Sequence, residues 1–189
     1  MSKVVIVCAP SGTGKTTIIK KVLSSFHLLE FSISACNRKA REGETDGKDY
    51  YFVSTEEFKS KIEANQFLEW EEVYAGRYYG TFNSELDRIW QKGHFPLFDL
   101  DVKGGMRLKE IFGENALAIF FTPPSIQALR QRLENRGTDS PQEIEMRLER
   151  AAFELSFAPQ FDVEIVNQVV DEATNEAIQI ISEFLEVKI

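Results

Sequence analysis

The sequence predicts an α/β fold, a parallel sheet core flanked by helices and carrying two inserts. Three observations predict it. Strand candidates at 3–7, 30–34, 95–100, 116–121 and 163–166, most of them short apolar runs, alternate with stretches of helical spacing at 15–25, 82–91, 104–111, 126–135 and 171–186, the order expected of strands covered on both faces by crossover helices. A glycine-rich turn joins the first run to the first helix. Two segments, 35–81 and 135–157, break the alternation. The chain then reads as one domain: a core of 1–34, 82–125 and 158–189, a small mixed-β insertion at 35–81, and a helical lid region at 126–157.

Composition narrows the function classes. At 189 residues, with 43% hydrophobic and 12% aromatic side chains, the chain can bury a sizeable core. A net charge of −8 argues against nonspecific binding to nucleic acid or an anionic membrane. An anionic ligand must therefore be held by a local basic cluster. Cys8 and Cys36 form no metal or disulfide pattern, and His27 and His94 are isolated. The first residues enter an apolar run without a signal sequence, and no run has transmembrane length, so the cytoplasm is the expected location.

Taken in order, the first strand leads into V-C-A-P-S-G-T-G-K-T, Val7 to Thr16. This is the P-loop pattern G-x-x-x-x-G-K-[ST] with Ala9 at the first glycine. An alanine at a strand end needs only φ < 0, and the phosphate-facing half from Ser11 to Thr16 is intact. Gly12 and Gly14 let the backbone aim successive N–H groups at an anion, and the helix opening at Gly14 adds its positive dipole end. Lys15 is expected to reach the β/γ-phosphates, and the Thr16 hydroxyl to hold Mg²⁺.

The insertion 35–81 is polar and aromatic, with strand-like pieces at 49–53, 67–73 and 77–79 around a short helix at 55–65. Arg38 and Arg41, with Tyr50 and Tyr78 further on, offer guanidinium forks and phenol donors to a second phosphate. Glu69 stands between Leu68 and Trp70, where a buried carboxylate needs a partner. Its two acceptor oxygens match the adjacent N1–H and N2–H₂ donors of guanine, and adenine lacks that edge. On an alternating strand it reads equally as a solvent-facing residue, like Glu71 and Glu72.

The strand at 95–100 ends F-D-L-D. Asp99 and Asp101 share one face, so one can serve Mg²⁺, directly or through water, and the other the acceptor. Capping of the following helix by Asp101 is the structural alternative. In the second insert Ser140 fits an N-cap, Pro141 the first helical position and Glu143 the third, a capping box. Arg132, Arg136 and Arg147 can converge on phosphates, whereas Arg150 reads as a surface residue.

These motifs together resemble the guanylate kinase family, nearly end to end from Val4 to about Glu186. The residues that carry the resemblance are A-P-S-G-T-G-K-T (9–16), S-x-S-x-x-x-R-x-x-R-x-G-E (32–44), G-K-D-Y-Y-F (47–52), F-L-E-W (67–70), Y-Y-G-T (78–81), D-x-D (99–101), P-P-S (123–125), R-L-E-N-R-G-T (132–138) and I-V-N (165–167). The resemblance implies that Ser34, Glu69, Thr81 and Asp101 hold guanine, and that Arg38, Arg41, Tyr50 and Tyr78 hold the GMP phosphate. It implies that Ala9, Pro10, Ser11, Gly12, Thr13, Gly14, Lys15, Thr16 and Thr17 bind ATP, with Asn167 at the adenine. Arg132, Arg136 and Arg147 would close over the transferring group with Lys15. The implied partners are ATP, GMP and Mg²⁺, with dGMP and the choice of monomer or homodimer left open.

Departures from the family pattern are few. Cys36, Asn37 and Ala40 replace two threonines and a proline, Lys103 a common glutamine, and Phe82 a small residue or proline. The expected reaction is ATP plus GMP to ADP plus GDP, with no general base, because the acceptor oxygen is already anionic near neutral pH. Two other readings compete with it: a scaffold-type binding module of the same fold, and a P-loop kinase for another small acceptor.

Overall fold

The apolar runs become the core strands, uninterrupted by charge in the inner strands Val4–Cys8 and Ala116–Thr122 and carrying Glu30 and Glu164 in the two edge strands, and the polar, aromatic insert makes a separate sheet. The computed structural model describes residues 3–137 and 139–188. The first half of the chain forms β1 (Val4–Cys8), α1 (Lys15–Ser25), β2 (Leu29–Phe31), β3 (Ala35–Cys36), β4 (Tyr51–Phe52), α2 (Thr55–Glu63), β5 (Phe67–Tyr74) and β6 (Arg77–Phe82). The second half forms α3 (Asn83–Trp90), β7 (Phe95–Asp99), α4 (Val102–Phe112), β8 (Ala116–Thr122), α5 (Ile126–Arg136), α6 (Pro141–Leu155), β9 (Val163–Val166) and α7 (Val170–Leu185).

Among the described residues the core sheet has the order β2-β7-β1-β8-β9, with every pairing parallel. The chain leaves β1 for one side of the sheet and later returns to the other side at β8. The crevice at the carboxyl ends beside β1 is therefore the topological switch point, where such sheets bind ligands. Alternation along β1 divides the core. Val5 and Val7 face Ile18, Ile19 and Val22 of α1 and Ala177 and Ile181 of α7, while Ile6 and Cys8 face Leu86, Leu108 and Phe112 from α3 and α4. Each large side chain buried in these layers contributes about 1.5–3 kcal/mol. A third cluster, Leu129, Leu133, Ile144 and Leu148, joins α5 to α6.

The expected strand 30–34 is shorter, because the chain leaves the core sheet after Phe31 and begins β3 at Ala35. The second sheet has the order β4-β3-β6-β5. Its β3 is parallel to β4 and antiparallel to β6, while β5 and β6 form a hairpin. Asn37, one of the departures from the family pattern, ties this sheet together. Its side chain donates to Gly76 O and to Thr55 Oγ1 at 2.8 Å each and accepts from Tyr78 N at 2.8 Å. Phe58 of α2 stacks on Phe67 at 4.3 Å between ring centres, so α2 covers the side of the sheet away from the core.

Helix ends follow the local chemistry. Asp101 caps α4 by accepting from Gly104 N at 2.8 Å. The capping box at Ser140 and Glu143 forms with both of its bonds. Two adjacent glycines, Gly104 and Gly105, bring α4 against its neighbours. A Cβ at Gly105 would lie 2.5 Å from Cys8 Sγ, and the Cys8 thiol donates to Asp101 O at 3.3 Å. Gly105→Ala should therefore lower stability by about 1–3 kcal/mol through overpacking, read as a fall in the urea midpoint. An unchanged midpoint would mean that α4 slides off β1 without cost.

Candidate functional site

The cleft opens where β1, β7 and β9 end, between the core and the second sheet, and encloses about 660 Å³. Gly12 and Gly14 of the loop have φ of 90° and 97°, values at which a side chain is strained. Gly14 also lets the loop approach Asn167, since a Cβ there would lie 2.9 Å from its Nδ2. The loop is braced from outside. The Thr13 carbonyl accepts from Asn167 Nδ2 at 2.6 Å and from Arg132 Nη1 at 3.0 Å, and Arg132 Nη2 donates to Asn167 O at 2.8 Å.

Lys15 pairs with Asp99 and donates to Leu100 O at 3.2 Å. Burial is the largest single influence and would lower the lysine pKa, but the Asp99 charge and hydrogen bond, together with the acidic groups of Cys8 and Glu154, outweigh it and raise the value. The ammonium therefore stays ionised. Thr16 and Thr17 line the same cleft at the first turn of α1.

On the opposite wall Glu69 is 3% exposed. The Thr81 hydroxyl donates to its Oε1 at 2.8 Å, and a Cβ at Gly104 would lie 2.9 Å from its Oε2. Its buried position removes the solvent-facing alternative. Burial, with a further push from the Asp101 charge, raises its pKa from 4.5 to about 7 against the opposing Thr81 bond. Ser34, Tyr50 and Asp101 share this wall. Asp101 thus caps α4 and faces the cleft at once.

The expected Tyr78 is not on this wall. Its ring lies 5.6 Å from Phe58 and 6.3 Å from Trp70, whereas Tyr79 lines the cleft and meets Tyr50 edge to face at 6.2 Å. Strand alternation explains this: Tyr79 and Thr81 share a face of β6, and Tyr78 cannot join them. The Arg38 fork is closed on Glu44 at 2.6 and 2.7 Å, and the guanidinium lies 4.8 Å from the Tyr50 ring centre. The Arg41 side chain is exposed, and its backbone N–H donates to the same Glu44 at 2.8 Å.

From α6, Arg147 donates to Ser11 Oγ at 2.9 Å and pairs with Asp139 at 3.1 Å. The Arg136 side chain and Thr138 lie outside the described residues. Arg150 is not a surface residue. It bonds Glu154 Oε1 at 2.8 Å, reaches across to Val73 O of β5 at 3.0 Å, and lines the cleft with Glu154. The i,i+4 spacing of Arg150 and Glu154 is the signal that marks this pair in the sequence. Asn167 is fully buried and braces the loop, which the expectation of an adenine contact does not include.

Thr16 and Asp99 offer hard oxygen donors beside the loop. That set suits Mg²⁺, which takes one or two protein ligands along with substrate phosphates and water. Among the described residues no cluster of three His, Cys, Asp or Glu forms a metal cage, and no helix is long and apolar enough to cross a membrane.

The family model for guanylate kinase matches residues 1–184. A guanylate kinase of Bacteroides thetaiotaomicron is 50% identical over 183 residues, 97% of this chain and 90% of that protein. One from Porphyromonas gingivalis is 46% identical over 186 residues, 98% of this chain and 99% of that protein. The crystal structure of guanylate kinase from Anaplasma phagocytophilum superimposes with a TM-score of 0.78 at 31% identity, covering 96% of this chain and 85% of that one.

The raised Glu69 pKa has a consequence for stability. Between pH 4.5 and about 7 the folded form holds a proton that the unfolded chain releases. This contribution is complete below pH 4.5 and is lost as pH rises through about 7, a change of about 3 kcal/mol. Glu69→Gln does not titrate. The stability of the ligand-free natural chain relative to this variant should therefore fall by about 3 kcal/mol over that range, measured by denaturation at each pH. A pH-independent difference would mean that Glu69 is hydrated.

Proposed function

Because the chain belongs to the guanylate kinase family and transfers the γ-phosphoryl group of ATP to GMP, giving ADP and GDP, we propose that its cleft divides that work between two walls. The loop wall, Ala9 to Thr17, takes the ATP phosphates, with Lys15 against the transferring group. The opposite wall, within the GMP-binding insertion 35–81, takes GMP. The arm 126–157 closes over both. The observation that carries this reading is Glu69, a buried, cleft-facing carboxylate held by Thr81 across from Lys15.

Guanine presents two adjacent donors, and Glu69 supplies the two acceptor oxygens that match them. Ser34, Thr81 and Asp101 complete the base site. Tyr50 and Tyr79, rather than Tyr78, offer phenol donors to the GMP phosphate, together with Arg38 and Arg41. Glu44 holds the Arg38 fork in advance, so the guanidinium does not search for its orientation when the phosphate arrives. The fixed Asn167 side chain serves ATP by bracing the loop at Thr13.

The acceptor oxygen is anionic near neutral pH, so the residues need only align two polyanions and neutralise charge on the group in transit. Lys15 does this from the loop. Arg132 and Arg147, already bonded to the loop, and Arg136 do so from the arm. Mg²⁺, held by Thr16 and Asp99, would supply further charge neutralisation at the phosphates. Closure of the arm excludes water, which would otherwise take the phosphoryl group.

Two outcomes test the assignment. Glu69→Gln places a donor against a guanine donor, so kcat/KM for GMP should fall by about 10²–10³, with no gain or loss for AMP. In the natural enzyme KM for GMP should rise as pH falls below about 7, because protonation removes an acceptor oxygen. Equal losses for both nucleotides would sink the guanine role. Separately, Tyr79→Phe should raise KM for GMP about fivefold, while Tyr78→Phe leaves it unchanged. The reverse ranking would return the phosphate contact to Tyr78.

A further inference from the structure

Away from the reacting groups, α3 carries a second buried carboxylate, Glu85, at 2% exposure. Its Oε1 accepts from Tyr51 OH at 2.7 Å and Arg88 Nε at 3.0 Å. Its Oε2 accepts from Ile33 N at 2.8 Å and Arg88 Nη2 at 2.9 Å. Arg88 continues to Phe31 O at 3.1 Å and pairs with Glu30. Glu30 also takes Lys92 at 2.8 Å and His94 Nδ1 at 2.9 Å. Glu85 thus joins the crossing segment 32–34 to β4 at the edge of the second sheet directly, and reaches β2 of the core sheet through Arg88.

Stability alone does not call for this arrangement, since apolar packing replaces a buried ion pair at little or no loss. A carboxylate with four donors does something an apolar side chain cannot: it fixes directions. The donors it fixes are next in the chain to two residues of the acceptor wall. Ile33 precedes Ser34, and Tyr51 follows Tyr50. The two segments are also tied to each other, because Tyr51 N donates to Ser34 O at 2.9 Å.

We propose that Glu85 is a positioning residue for the acceptor nucleotide, setting Ser34 and Tyr50 by gripping Ile33 N–H and Tyr51 OH from α3. The inference rests on the reading of Ser34 and Tyr50 as GMP ligands given above. Glu85 touches neither substrate nor the transferring group. It acts through the backbone, and it indexes the second sheet to the core on the side away from the loop. The donor nucleotide lies across the cleft and is outside its reach.

The test compares Glu85→Gln, which keeps the volume and replaces one acceptor by a donor, with Tyr51→Phe, which removes only the hydroxyl and leaves the ring on Phe82 at 5.8 Å. KM for GMP should rise about tenfold in Glu85→Gln and about threefold in Tyr51→Phe, with KM for ATP within about twofold of the natural enzyme. Glu85→Gln combined with Tyr50→Phe should cost less than the product of the single effects, because one acts through the other. Parallel rises in both KM values, or effects that multiply, would reduce Glu85 to a structural tie and overturn the proposal. Should Glu85→Gln fail to fold, Tyr51→Phe decides by the same criteria. If Ser34→Ala and Tyr50→Phe themselves leave KM for GMP unchanged, the acceptor assignment falls and the Glu85 proposal with it; if they raise it and the α3 variants do not, the Glu85 proposal falls alone.

Discussion

A lysine ammonium enclosed at the end of a parallel sheet must find negative charge, and the cleft is arranged around that need. The parallel register sets Val7 beside Asp99, so the strand feeding the loop and the strand ending in acid finish level. Lys15 consequently meets Asp99 without leaving its helix. Hydrogen bonds from Asn167 and Arg132 to the Thr13 carbonyl hold the other flank. Charge on one side and hydrogen bonds on the other hold the loop in one shape, which is the kind of preorganisation that electrostatic catalysis requires.

The same logic explains how a chain of net charge −8 accommodates two polyanions. Among the described residues, four cations at or beside the cleft are each held by an acid, Lys15 by Asp99, Arg38 by Glu44, Arg147 by Asp139 and Arg150 by Glu154, while Arg132 is held by the carbonyls of Thr13 and Asn167. The acids orient the cations and offset their mutual repulsion. The long-range field of the chain does not draw nucleotides in. Recognition instead falls to contacts made within a Debye length, where fixed geometry counts for more than total charge.

The core was legible because strands buried on both faces leave an unbroken apolar trace, and the loop because its chemistry is local. Glycine, lysine and threonine act there within a few residues of one another. What failed had a physical cause in each case. The 30–34 run, Glu-Phe-Ser-Ile-Ser, hides a strand break, since its alternation continues past the point where the chain changes sheets. The Tyr78 expectation fails because period two on β6 sets Tyr79, not Tyr78, on the face of Thr81. Arg150 reads as a surface residue, and Glu85 belongs to no motif, because their partners, Val73 O, Ile33 N and Tyr51 OH, are distant in sequence or belong to the backbone. Such contacts leave no compositional signal.

The close approach of Gly105 to β1 also decides the chemistry of a thiol. Cys8 lies at the end of the strand that feeds the loop, with 0% exposure and its proton directed to the Asp101 carbonyl. Burial drives its thiol pKa far up, and the buried Cys36 is shifted the same way. Thiolate is the species that oxidants and alkylating agents attack, and here it is almost absent. The sulfur atom directly behind the glycine loop is thereby shielded from oxidants and alkylating agents, by burial as well as by protonation.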